Sequence, residues 1–354
     1  MSRNTNTVIA LTPYTCEAEI VEGLDAFAAA ELRAVRGVEK LSVRYPRPDA
    51  VSFSFSGQHE RLFQLRTIQS INRVFSFPVP RPKGLLGDQH FKQLVAGIRD
   101  VMALHPADTF RTLGIAAAGA QSTVMQRLRS EMAHAIGLQS VEDKGDLQVR
   151  IRPAPEGGGW QCLVRLTPRP LATRSWRVRN YAASLNATVA YVMSLLTQPN
   201  ENDVYVNLCS GSGSLLVERL ALGMTGTVMG VERDPHVQMH AMENLAAAGH
   251  RYASHLLTAD VRTTPFPDRV ANAITADLPF GQASGSHQEN IALYPAILKE
   301  AARIALPNAC FVAITHEVHL FERQLSIQND WRVEQSLMIT LRGLHPRVYV
   351  LRRV

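Results

Sequence analysis

The sequence predicts an α/β protein, with a mostly parallel sheet flanked by helices and preceded by smaller modules of mixed α and β structure. Three observations carry that expectation. A chain of 354 residues is longer than one ordinary core organises, so two or three domains are expected. From about residue 181, short apolar runs alternate with helical stretches, the mark of βα units that build a parallel sheet through right-handed crossovers. Charge is also divided unevenly. Residues 1–180 hold 24 Lys and Arg against 16 Asp and Glu, whereas residues 181–354 hold 13 against 15. A basic half joined to a near-neutral half is what a division between phosphate binding and chemistry would produce.

The elements follow in order. After a strand-like start come a helical stretch from Gly23 to Val35, an alternating strand through Val51, Phe53 and Phe55, and a helix from Gln58 to Ile68. Pro78, Pro80 and Pro82 with Lys83 and Gly84 then read as a linker. A second module holds a helix from Phe91 to Leu104, a strand from Thr109 to Ile115 and a helix from Ser122 to Ile136. Strands from Asp146 to Arg152 and Trp160 to Leu166 close it, with Gly157–Gly159 as a hairpin tip rather than a phosphate cradle. Beyond it, strands are expected at 203–207, 227–232, 254–259, 270–276 and 310–315, with helices at Ser214–Leu222, Pro235–Ala248 and near Tyr294–Ile304. Strands at 331–340 and 347–352 have no helix between them and should form an antiparallel hairpin on the same sheet. The expected boundaries are 1–80, 81–168, a basic linker at 169–182, and 183–354.

Several classes are set aside. No apolar stretch is long enough to span a bilayer, and the short run Val8–Leu11 behind Arg3 is too little for a signal peptide. Cys16, Cys162, Cys209 and Cys310 stand far apart, which favours neither a disulfide framework nor a zinc cluster and makes a reducing cytoplasm the expected setting. His316-Glu317-Val-His319 spaces its histidines by three rather than the four a helical metalloprotease motif needs, so no metal is expected.

Four sites carry the chemistry. Asn207-Leu-Cys-Ser-Gly211-Ser-Gly213-Ser214 lies between a strand and its helix, where the glycines allow a tight turn close to a ligand. Glu232 ends the next strand and can accept the hydroxyls of a ribose. Both features suit a nicotinamide dinucleotide as well as S-adenosylmethionine. Asp260 ends the third strand, where a carboxylate can accept an adenine amino group or cap a turn. Thr275-Ala-Asp277-Leu278-Pro279-Phe280-Gly281 ends the fourth strand and decides between the cofactors. An exocyclic aromatic amine is a poor nucleophile because its lone pair is delocalised. The Asp277 carboxylate and the carbonyl before Pro279 can draw that nitrogen towards sp³, Phe280 can stack on a flipped base, and alignment with an incoming methyl supplies most of the catalysis. A separate basic stretch, Arg165 to Arg179, holds five arginines and Trp176, with no acidic residue between Glu156 and Glu201. It reads either as a phosphate- and base-contacting surface or as a connector whose tryptophan packs against a domain.

Residues 183–354 resemble the amino-methylating class I methyltransferases, whose catalytic motif is (Asn/Asp)-Pro-Pro-(Tyr/Phe). Nearly the whole chain is similar to THUMP-domain tRNA guanine-N2 methyltransferases, through Val21-Glu-Gly-Leu24, Thr109-Phe-Arg111, Gly145-Asp146-Leu-Gln-Val-Arg150, Pro170-Leu171, Trp176-Arg177, Ala183-Ser-Leu-Asn186-Ala-Thr188 and Leu344-His-Pro346-Arg347. The resemblance implies a ferredoxin-like domain and a THUMP domain ahead of a Rossmann-like methyltransferase domain whose seven-stranded sheet ends on an antiparallel strand. It implies S-adenosylmethionine as cofactor and transfer to N2 of a guanosine in the acceptor stem of a tRNA, by a monomer with neither membrane nor metal partner. Ribosomal RNA is the other substrate considered, and the alternatives to a methyltransferase are a nicotinamide oxidoreductase and a tRNA binder with a decayed catalytic half. The cofactor would lie against Ser184, Leu185, Asn186, Asn207, Gly211, Ser212, Gly213, Glu232, Arg233, Asp260, Val261 and Asp277, with Asp277, Leu278, Pro279 and Phe280 catalytic. RNA would meet Arg111, Arg150, Arg165, Arg169, Arg174, Trp176, Arg177 and Arg347. Two departures from the family pattern stand out. Asn207 and Leu208 replace an Asp-Pro pair, removing a counter-charge for the cofactor's ammonium, and Leu278 replaces the first proline of the motif, which should leave that turn less fixed.

Overall fold

The computed structural model describes residues 12–142, 144–223, 226–280, 286–341 and 343–354. Arg3, Val8–Leu11 and Gly281 lie outside them. The chain divides into two compact units. One takes the chain up to Ile20 with Asp25–Leu171, and the other takes Val21–Leu24 with Ala172–Val354.

In the first unit, the strands are β1 (Tyr14–Ile20), β2 (Val38–Val43), β3 (Ala50–Phe55), β4 (Ile68–Phe77), β5 (Thr112–Ala117), β6 (Gln139–Val141), β7 (Leu147–Pro153) and β8 (Trp160–Arg165). The helices are α1 (Asp25–Arg33), α2 (His59–Phe63), α3 (Asp88–Met102) and α4 (Thr123–Ile136). All eight strands join one sheet in the order β2-β3-β1-β4-β8-β7-β5-β6. The expected boundary at 80 therefore does not separate one sheet from another, because β4 pairs antiparallel with β8 from Asn72↔Arg165 to Phe77↔Trp160. Nor is Pro78–Gly84 a free linker: Val79 is buried, a 3₁₀ turn over Pro82–Leu86 follows, and Leu85 is fully buried. Three prolines stop a strand as readily as they mark a connector, and here they do the former. β4 itself has no counterpart among the expected strands. Its apolar and polar positions do not alternate cleanly, because the middle of a sheet covered by helices buries neighbouring positions together.

The second unit holds β9 (Val204–Leu208), β10 (Thr227–Glu232), β11 (His255–Thr258), β12 (Ala271–Asp277), β13 (Ala305–Thr315), β14 (Trp331–Met338) and β15 (Arg347–Arg353), in the order β11-β10-β9-β12-β13-β15-β14. The pairs from β11 to β13 are parallel, and β15 runs antiparallel to both β13 and β14. This is the Rossmann-like arrangement, with the antiparallel last strand as expected. Its helices are α5 (Ala187–Leu196), α6 (Ser214–Leu220), α7 (Pro235–Ala247), α8 (His287–Ile304) and α9 (Val318–Ser326). α5 is not among the expected helices because it is buried on nearly every side, which erases the amphipathic stripe that periodicity detects. The Val21–Leu24 segment belongs with this sheet: Thr340 N–H donates to the Glu22 carbonyl at 3.1 Å. Strand order reverses between β9 and β12, so a crevice opens at their carboxyl ends, where open α/β sheets bind ligands.

Candidate active site

β9 delivers the glycine loop to that crevice. Asn207 is fully buried, and its Nδ2 donates to the Thr275 carbonyl and Oγ1, both at 3.2 Å. Its Oδ1 has no partner. Cys209 and Gly211 adopt positive φ of 61° and 53°, which turns the chain across the ends of the strands. A Cβ on Gly211 would meet nothing within 4 Å, so this backbone faces open space. Gly213, at φ 84°, starts α6, and a Cβ there would sit 3.1 Å from that of Ala241. The first glycine keeps the backbone open to a ligand and the second lets α6 approach α7.

Glu232 ends β10 and braces this loop. Its Oε2 accepts the Gly211 N–H at 2.9 Å and its Oε1 the Asp234 N–H at 3.0 Å, leaving one lone pair on each oxygen for ligand hydroxyls. Arg233 beside it is exposed. Asp260 follows β11, and both its oxygens accept from the Arg262 guanidinium. That ion pair holds its carboxyl at about 2, so an adenine amine would share an already occupied carboxylate. Val261 is buried behind it.

The segment before α5 closes the other wall. Ser184 Oγ lies 2.7 Å from Ser212 Oγ, and Asn186 caps α5 by accepting the Thr188 and Val189 N–H groups. Arg177 staples the segment to α6, donating to the Leu185 carbonyl at 2.8 Å and to Ser214 Oγ at 3.0 Å. One cavity is lined by Tyr181, Ala183–Leu185, Cys209–Ser212, Ser214, Leu215 and Asp277. Asn207 lies just behind this lining, whereas Glu232, Asp260 and Val261 stand along the ends of β10 and β11. Tyr181 belongs to no motif read in the sequence, and Cys209 and Ser210 stand in the glycine-loop motif without being among the expected cofactor contacts. The positive φ of Cys209 has no sequence signal, and Tyr181 reaches the cavity only through the fold. Asn244 is a further residue without such a signal: from α7 it bonds the backbone of both Arg179 and Ser212.

Asp277 ends β12 beside the glycine loop, since Ala276 pairs with Leu208. Its side chain opens onto the cavity while the rest of it sits inside the protein. That desolvation raises its carboxyl to about 7. Burial likewise pushes the Cys209 thiol up, so it stays protonated and is no nucleophile. Leu278 corrects the expectation of a looser turn. Its N–H donates to the Ile314 carbonyl at 3.0 Å, a bond proline cannot make, and its side chain is 1 % exposed in the core. The Pro279 carbonyl accepts from Asn290 Nδ2 at 2.9 Å and Tyr294 Oη at 2.7 Å. The Phe280 ring stands 6.0 Å from that of His316.

The expected RNA contacts divide. Arg174 Nε and Trp176 Nε1 both donate to Glu218 Oε1 in the interior of the second unit, at 3.0 and 3.2 Å, and Arg177 stacks over the Trp176 ring. Arg165 is buried against the carbonyls of Thr167, Asp146 and Pro168. These four are structural, so the packed-connector reading holds for them. A run of arginines without acids nearby in sequence conceals Glu218, which is 44 residues from Arg174. Arg150 pairs with Glu19 and Arg347 with Glu322, whereas Arg111 and Arg169 are exposed. Among the described residues no cluster of three potential metal ligands forms, and no helix is long and apolar enough to cross a membrane.

The sheet order, the loop over its reversal point and the carboxylate closing β12 together define a class I methyltransferase domain. Over the whole chain the fold is similar to that of TrmN from Thermus thermophilus, with a TM-score of 0.72 at 21% identity, covering 97% of this chain and 100% of that one. It is also similar to SMU.472 complexed with SAH, at a TM-score of 0.68 and 14% identity over 96% of this chain and 97% of the other. Residues 174–347 match the family described as UPF0020: RMKL-like, methyltransferase domain. Among curated proteins, it is 29% identical over 194 residues to the Mus musculus tRNA (guanine(6)-N(2))-methyltransferase THUMP3, covering 48% of this chain. It is 26% identical over 156 residues to the Mus musculus U6 snRNA (guanine-N(2))-methyltransferase THUMPD2, covering 44% of this chain. The matches span 36% and 28% of those relatives, so the chain answers to about a third of their length.

Proposed function

We propose that this protein transfers a methyl group from S-adenosylmethionine to the exocyclic N2 of a guanosine in tRNA, in the acceptor stem, as a cytoplasmic enzyme. One observation carries the reading: the Asp277 carboxylate faces the same cavity as the glycine loop and Ser184–Leu185, immediately before Leu278-Pro279-Phe280. The names of the mammalian relatives, both guanine-N2 methyltransferases of RNA, favour the substrate class.

The residues suit the cofactor. The unpartnered Asn207 Oδ1 can accept from an ammonium group, the open backbone at Gly211 leaves room for the ligand, and Glu232 keeps lone pairs for ribose hydroxyls. Bound there, S-adenosylmethionine supplies an electrophilic methyl on a sulfonium. Ionised Asp277 accepts one N–H of the target amine and the Leu278 carbonyl the other, aiming the nitrogen lone pair. Phe280 offers a stacking face for the extruded base. With its carboxyl at about 7, Asp277 can also hold the proton released after transfer. The division into ferredoxin-like and THUMP modules belongs to the same proposal, with exposed Arg111 and Arg169 as phosphate contacts.

The test is to incubate purified protein with bulk tRNA and isotopically labelled S-adenosylmethionine, then analyse nucleosides by mass spectrometry. N2-methylguanosine carrying the label is expected. Label in another nucleoside would overturn the target, and tight NAD binding without S-adenosylmethionine binding would overturn the chemistry.

A further inference from the structure

We propose that Asn290 and Tyr294 are positioning residues for methyl transfer, because together they lock the peptide that follows Pro279. This rests on the reading of Asp277–Phe280 as the reacting site.

The two residues stand one helical turn apart on α8, so their side chains share a face. Both converge on one atom, the Pro279 carbonyl, at 2.9 and 2.7 Å. Each is held from behind. Asn290 Nδ2 also donates to Glu317 Oε1, and the Tyr294 hydroxyl lies 2.7 Å from Thr315 Oγ1, which accepts the Glu317 N–H at 2.9 Å. A hydroxyl has one proton, so the chain has a single direction. Glu317 N–H donates to Thr315, Thr315 to Tyr294, and Tyr294 to the Pro279 carbonyl. Such chains polarise one another and resist deformation.

The consequence is local and geometric. The pyrrolidine ring fixes φ of Pro279, and two donors on its carbonyl fix ψ. On the other side, Leu278 is pinned through its N–H to Ile314. The Leu278 carbonyl lies between two fixed points. The same lock sets where the chain delivers Phe280. A motif with one proline thus gains from α8 and the end of β13 what a second proline would have supplied. Asn290 and Tyr294 are plain in the sequence, but the expected helix begins only near Tyr294, which leaves Asn290 off it.

Tyr294→Phe and Asn290→Leu test the assignment in the full-length chain. Tyr294→Phe keeps the ring that packs against Phe321 and removes only the hydroxyl. Two readouts are taken, with thermal melting as the control for folding. In hydrogen–deuterium exchange, the Leu278 and Phe280 amides should exchange about tenfold faster in either variant, while those of β9 and β10 stay unchanged. In steady-state assays, kcat should fall about tenfold or more, with KM for RNA and Kd for S-adenosylhomocysteine unchanged. Unaltered exchange at 278 and 280 in both variants would overturn the proposal, as would a loss confined to KM. If the parent protein transfers no methyl group at all, the functional reading fails while the exchange measurement still decides whether α8 fixes this loop.

Discussion

In the proposed reading, Asp277 concentrates the chemistry in one side chain whose environment sets its charge. Burial raises its carboxyl from 3.8 to about 7. The folded protein therefore binds a proton that the unfolded chain has released between about pH 4 and pH 7, and the stability this lends is present at low pH and lost as pH rises through 7. Asp277→Asn cannot ionise. Its melting temperature should match the parent at or below about pH 4 and exceed it increasingly up to about pH 8, by roughly 2–4 °C for each kcal/mol regained. A difference that does not change with pH would contradict the assignment. The same titration should appear in catalysis. In the cofactor-free state reported by kcat/KM for S-adenosylmethionine, activity should rise as pH passes 7 in the parent and flatten in Asp277→Asn, whose amide oxygen accepts at every pH. Asp277 itself is legible in the sequence because its strand, its proline and its aromatic stand together within four residues. Its raised pKa is not, since that depends on enclosure by Cys209, Ser210 and Leu215, which come from elsewhere in the chain.

The elements around the site show which sequence signals survive folding and which do not. Glycine at a strand end and proline at the first turn of α7 are local chemistry and are visible in the sequence, whereas the Ser286–Glu289 capping box of α8 lies ahead of the helix expected near Tyr294. α5 has no such stripe, and the basic stretch before it is misleading. Charge without nearby counter-charge looks like an RNA surface, whereas Arg174 and Trp176 turn inward to Glu218 on α6. Glu218 is fully buried, so removing it takes the anion out of the Arg174–Trp176 cluster. Glu218→Ala should cost about 3–5 kcal/mol, seen as a lowered urea midpoint. A change within about 0.5 kcal/mol would mean that the cluster is merely surface charge. Capping is worth less: Ser286→Ala should lower stability by about 1 kcal/mol in the same measurement.

Across the whole molecule, the order of the second sheet is readable because βα alternation leaves few topologies open, and the reversal of strand order fixes where a ligand binds. The first unit is less legible. Its eight strands form one sheet, whereas short helices and a proline cluster point to two modules joined by a linker. The basic surplus of residues 1–180 remains the electrostatic argument for RNA, now carried by side chains that face solvent. Arg111→Ala combined with Arg169→Ala should weaken tRNA binding, reduce the slope of log affinity against log salt by about one for each phosphate no longer neutralised, and leave melting unchanged. Arg174→Ala should instead lower the melting temperature. If the double variant binds tRNA with the parent's salt dependence, phosphates are met elsewhere.

The most direct test of the catalytic geometry is a crystal structure with S-adenosylhomocysteine bound. Its homocysteine end should lie against Ser184, Leu185 and Gly211, its ribose at Glu232, and its sulfur within about two hydrogen-bond lengths, roughly 6 Å, of the Asp277 carboxylate. A ligand seated away from the glycine loop, or Asp277 turned from the sulfur into the core, would contradict that geometry.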